Sequence, residues 1–340
     1  MTSQDRKQGA FGALVTGLAR AFQWRLLLLW TLGLLVPTFV VTLPFAQLLG
    51  ERLDHSVHAA DIAARFDAAW MYEALSPILE RSGTALAATG LTSLLIALLL
   101  APWLTGMVVA SIRAGDTLRF GNLMQLGLRE YGRMARMLLW AIVPLGIALA
   151  IGGGMMDWAD KQAETMILET GAKNASRVAM VVLLMAFGLA HATVEAGRAV
   201  MAADPSRRSA VKAWWRGTRL LVQRPVAVLV VYLGTLVAGQ GLALAFAYAR
   251  TQVVAATPGA LVLGVLLVQL LVAAIAWGRI ARLYGLSLLA RDAQQRDADR
   301  QARRAMQVAP AAVQADALPA DVHQDEAPKA AESTTADAIA

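Results

Sequence analysis

The chain has 340 residues, 57% of them hydrophobic and 16% charged, with no cysteine and a formal net charge of +7. A mean hydropathy of +0.53 is far above that of a water-soluble domain and points to a membrane protein. The lack of cysteine excludes a disulfide framework, a thiolate nucleophile and a zinc–thiolate site.

Uncharged stretches predict six spans, at about 26–49, 84–112, 137–156, 178–199, 225–249 and 256–280. Roughly 20 apolar residues suffice to cross the hydrocarbon core. Five stretches meet that length; the fourth, uncharged only over 178–194, needs Arg198 to snorkel. Of the 31 Lys and Arg, 24 fall in alternate flanking segments, starting with the first, and seven in the others. This is the positive-inside pattern with both termini in the cytoplasm. The positive charge is thereby assigned to segments beside anionic lipid and not to nucleic acid. The first apolar run is too long for a signal-peptide core and is expected to stay as a span. Arginine outnumbers lysine by 26 to 5, which suits a GC-rich bacterial genome and an inner-membrane location.

In chain order, residues 1–25 form a cytoplasmic N-terminus in which Phe11, Leu14, Val15, Leu18 and Phe22 recur at helical spacing opposite Thr16, Arg20 and Gln23. The first span carries Pro37 and Pro44, with Thr38 and Thr42 placed to satisfy the carbonyls that proline leaves free. Such a break lines the site of some carriers, although kinks are also ordinary in bundles. The outer segment 50–83 is acidic. Asp54, His58 and Asp61 share a helical face there with metal-binding chemistry, but Val57, Ile62, Phe66 and Trp70 favour a helix resting on the bundle, and no metal site is predicted. Before the third span, Phe120, Leu123, Met124, Tyr131 and Met134 face away from Arg129, Arg133 and Arg136. Gly152-Gly153-Gly154 is expected to close that span and lacks the context of a phosphate loop.

The fourth span holds the densest polar set: His191, Glu195 and Arg198 at i, i+4 and i+7. Ionisable groups in a span are costly and are functional candidates by default. They could relay a proton. The plainer reading, which we prefer, is a Glu195–Arg198 pair at the interface, with His191 deeper and bonded to a neighbouring span. Before the fifth span, Val211, Trp214, Trp215, Leu221 and Val222 oppose Arg208, Lys212, Arg216 and Arg219. Gln240, between Gly239 and Gly241, and Gln269 in the sixth span read as interhelical hydrogen-bonding groups. The segment 291–340 continues the sixth helix and is expected to be disordered from about 310.

The predicted fold is therefore all-α: a polytopic protein of six transmembrane helices in three hairpins, each preceded by an amphipathic in-plane cytoplasmic helix. The three units cover about 9–113, 119–200 and 206–290. The amphipathic helices lie either in the headgroup plane or against the ends of the spans. Arg129, Arg133, Arg136, Arg208, Lys212, Arg216 and Arg219 are the expected contacts to anionic phospholipid headgroups.

Asp204-Pro205-Ser206, the run Ser209 to Trp215 and Arg224-Pro225 resemble the cytoplasmic connector of a broad group of bacterial inner-membrane proteins. That group includes the membrane region attached to some glycerophosphodiester phosphodiesterases. The resemblance covers about 90–290 and implies six or so spans with amphipathic connectors. It carries over no enzymatic activity, because the catalytic domain is not in this chain. The expected function is that of a structural or assembly factor, or of a subunit binding lipid, a membrane-protein partner or a second copy of itself. Transport of a small solute or lipid is the alternative. No cofactor and no catalytic residue is predicted.

Overall fold

The computed structural model describes residues 9–53, 68–165, 169–253 and 257–316. Among them the regular elements are all helices: α1 (Ala10–Arg20), α2 (Trp24–Leu53), α3 (Ala68–Ala114), α4 (Phe120–Thr165), α5 (Glu169–Ala203), α6 (Ala210–Gln223), α7 (Pro225–Thr251) and α8 (Pro258–Asp316). Six of these, α2 to α5 with α7 and α8, are long and apolar enough to cross a membrane, so the chain is a multi-pass, all-α membrane protein.

Local chemistry sets where helices stop. Gly115, at φ +75°, ends α3 and donates its N–H to the Ser111 carbonyl, as left-handed glycine does after a helix. The Ser209 side chain accepts the Lys212 N–H and caps α6. Pro225 opens α7 at a position where a missing N–H is harmless. Between Tyr131 and Met137 nothing comparable intervenes. The amphipathic segment before the third span is consequently not a separate in-plane helix but the first turns of α4, whose 46 residues reach roughly 70 Å at a rise of about 1.5 Å each. The Gly152–Gly154 triplet does not end the helix either. It lies inside α4, with Gly152 against Leu183 of α5. In α2 the threonines behave differently from expectation. Thr38 donates to Leu34 O and Thr42 to Thr38 O, not to the Gly33 and Val40 carbonyls that the prolines free. The Pro37 carbonyl accepts from Ser93 of α3.

One contact recurs three times. A Cβ at Gly127 of α4 would sit 3.1 Å from the Met107 nitrogen of α3, next to Gly106. A Cβ at Gly217 of α6 would fall 2.6 Å from Ala196 C and still closer to Gly197 N of α5. At Gly17 of α1 it would fall 2.8 Å from Ala281 O and 3.0 Å from Gly285 N of α8. Each amphipathic segment thus crosses, through a glycine, the second span of the preceding hairpin, and the first segment closes on the last hairpin. Small residues let helix backbones approach where apolar area gives no drive for association.

The second spans also form the centre. Leu104, Met107, Val108 and Val109 of α3, Val194, Ala199 and Met201 of α5, and Ile280, Leu286 and Leu289 of α8 are all buried. By contrast, Leu139 and Ile142 of α4 are 66% exposed and face outward, as lipid-facing side chains do. Residues 294–340 form a unit of their own. Within it α8 continues as a helix to Asp316, exposed over residues 297–306. Residues 317–340 lie outside the described residues.

Candidate functional site

Ionisable side chains converge from three spans at the arginine-rich end of the bundle. On α5, Glu195 is 4% exposed and accepts from Arg198 Nη1 at 2.6 Å. Its other carboxylate oxygen lies 3.9 Å from Nε of Arg282, itself buried on α8. His191 Nε2 stands 3.7 Å from Glu195, and His191 Nδ1 lies 2.8 Å from the Tyr232 hydroxyl of α7. The Arg282 guanidinium is stacked on the Tyr232 ring, 5.1 Å from its centroid. One turn earlier on α8, Arg279 lies over the Trp30 ring of α2 at 5.5 Å, and the Trp30 indole N–H donates to Leu104 O at 3.1 Å.

The spacing of His191, Glu195 and Arg198 does put them on one face. Within the bundle Glu195 is the most buried of the three and His191 the least, and His191 meets a neighbouring span through Tyr232. Arg279 and Arg282 lie outside the polar set that the sequence spacing brings together. Nothing in the local sequence pairs them with Glu195, since the meeting depends on how α8 seats against α5.

A second cluster closes the same end. Glu130 of α4 accepts from Arg113 of α3 and from Arg133 one turn away. Arg113 also donates to the Met201 and Ala202 carbonyls. Arg133 donates to the carbonyls of Met201, Asp204 and Arg207 at 2.8–3.0 Å. Arg133 therefore does not face headgroups as expected. It is buried and pins the connector between α5 and α6. Substituting Arg133→Met should take the donor from the Asp204 and Arg207 carbonyls, at about 1–3 kcal/mol each if they stay dry. We expect faster tryptic cleavage at Arg207 and Arg208 in the folded protein. Within that connector, hydrogen bonds from Ser206 to the Asp204 carboxylate hold its pKa below the ordinary value. Nearby, Gln23, Ser111 and Tyr284 form a closed triangle. Gln23 donates to Tyr284, Tyr284 to Ser111, and Ser111 back to the Gln23 carbonyl oxygen.

The other expected headgroup cations, Arg129, Arg136, Arg208, Lys212, Arg216 and Arg219, are exposed. Arg136 donates to Gly132 O and Arg208 O. Gln240 is exposed beside the Gly239–Gly278 crossing of α7 and α8. The Gln269 side-chain oxygen is buried without a partner among the described residues. Asp54, His58 and Asp61 fall outside the described residues, and among those described no three His, Cys, Asp or Glu cluster as metal ligands do.

No protein-family model, curated protein or solved structure matches this chain.

Proposed function

We propose that the protein is a non-enzymatic component of a bacterial inner membrane, with both termini in the cytoplasm, that holds anionic phospholipid on its basic face. It acts as a structural or assembly factor, or as a subunit for another membrane protein. The two-sidedness of α6 carries this reading. Ala210, Ala213 and Gly217 are buried against the bundle, while Trp215 and Val222 are 65% and 74% exposed in line with Lys212, Arg216 and Arg219. A helix with its small residues packed inward and its tryptophan and arginines outward is built for an interface of lipid and water. On α1, Phe11 and Val15 are exposed while Ala13 and Gly17 are buried, which supports the same orientation.

The lack of cysteine makes a direct test simple. A nitroxide on Trp215→Cys in phosphatidylglycerol vesicles should be reached by oxygen and shielded from a water-soluble relaxing agent. A label on Gln223→Cys should behave oppositely. Water-like accessibility at position 215 would refute the reading. Transport through His191, Gln240 and Gln269 gains no support from a shared cavity. Gln240 lines a crevice of about 10 Å³ with Arg279 and Arg282, room for at most one water.

A further inference from the structure

Between α2, α3 and α4 the bundle leaves a cavity of about 240 Å³. Its walls are apolar, from Leu34, Leu94, Leu98 and Leu138, and its floor holds Arg198 and Arg279. We propose that this groove binds one anionic phospholipid, its phosphate on Arg198 and Arg279 and one acyl chain along the leucines.

Charge complementarity is the first ground. Glu195 is the carboxylate facing three guanidiniums, those of Arg198, Arg279 and Arg282, with His191 beside it. That leaves two positive charges without an acid, Arg282 buried and Arg279 at the groove, and an anion joining them would offset the cost. Other arginines entering this end find an acid or carbonyls: Arg113 and Arg133 take Glu130, Arg224 takes Asp292, and Arg291 donates to Ile112 O. Arg279 differs. Among the described residues it has no acid within ion-pair distance, and its side chain is exposed toward the groove. It is nonetheless positioned, because it lies over a Trp30 ring that the bond to Leu104 O keeps in place.

The shape is the second ground. At about 240 Å³, the cavity takes a phosphate and the start of one chain but not a helix. Leu94 and Leu98 are about half exposed, so the groove opens sideways where a chain can leave it. Arg279 directly follows the uncharged run 258–278 of α8, which puts the guanidinium at the edge of the apolar layer, the level of a lipid phosphate. Apolar walls of this extent give free phosphate nothing to gain.

This site deepens the lipid-binding reading and lies apart from the α6 face, so the two can fail separately. The test uses the full chain in detergent, with native mass spectrometry and thermal shift against phosphatidylglycerol, phosphatidylcholine and inorganic phosphate. Wild type should retain one phosphatidylglycerol in preference to phosphatidylcholine. Arg279→Gln should weaken that binding about tenfold, the scale of one charge-assisted hydrogen bond. The triple change Lys212→Gln, Arg216→Gln, Arg219→Gln should leave it in place. Ala97→Phe, which fills the groove and keeps Arg279, should also expel the lipid and guards against a folding defect in the arginine variant. Unchanged retention in both Arg279→Gln and Ala97→Phe overturns the groove. Loss only in the α6 variant also overturns it and leaves the surface reading standing. Equal stabilisation by inorganic phosphate overturns the lipid as occupant.

Discussion

Glu195→Gln should lower the unfolding free energy by about 3–5 kcal/mol, the usual result of taking one partner from a buried ion pair. Glutamine keeps the volume and one acceptor, so the loss reports charge and not packing. Without the carboxylate, Arg198 and Arg282 would face each other and Arg279 with no acid beside them. The double variant Glu195→Gln with Arg282→Met should recover part of the loss, because the second change removes one orphaned charge and leaves an apolar side chain against Tyr232. Thermal unfolding in one detergent, followed by tryptophan fluorescence, would measure both. A single variant as stable as wild type would mean that Glu195 does not hold this end of the bundle together.

The second large effect concerns a position with no charge at all. Gly217→Ala should destabilise by roughly 1–3 kcal/mol, as overpacking does, because the added methyl meets backbone of α5, which cannot swing aside as a side chain can. Gly132→Ala, on α4 with nothing within 4 Å of the added carbon, should instead stabilise by up to about 1 kcal/mol from helix propensity alone. Opposite signs for the same chemical change, read by thermal unfolding, would show that the crossing at Gly217 is close backbone contact. If Gly217→Ala also stabilised, α6 would have to sit further from α5.

The six spans were legible because charge-free length is a direct consequence of bilayer thickness. The polar face of α5 was legible because i, i+4 and i+7 share a side of any helix. What periodicity did not mark is the face that packs on the spans. Large apolar residues marked the stripe on α1 and α6, yet Phe11, Val15, Trp215 and Val222 stay outside, and Ala13, Gly17, Ala213 and Gly217 make the contacts. In water the greasier face is the buried one. Where lipid is the surrounding solvent, greasiness no longer separates inside from outside and residue size does. Arg133 escaped for a related reason. It sits on the flank of the α4 stripe, and its long side chain reaches round to carbonyls some 70 residues away, a distance that periodicity within one helix cannot register.

The seating of α1 on α8 bears on how the polypeptide matures. Trp277 donates to Leu18 O across 259 positions, so α1 is seated on a helix that is synthesised well after it. Until α8 is in place, the Ala13–Gly17 surface lacks this seat. A nascent chain halted before α8 would leave Gly17 without the Ala281 and Gly285 backbone on which it packs.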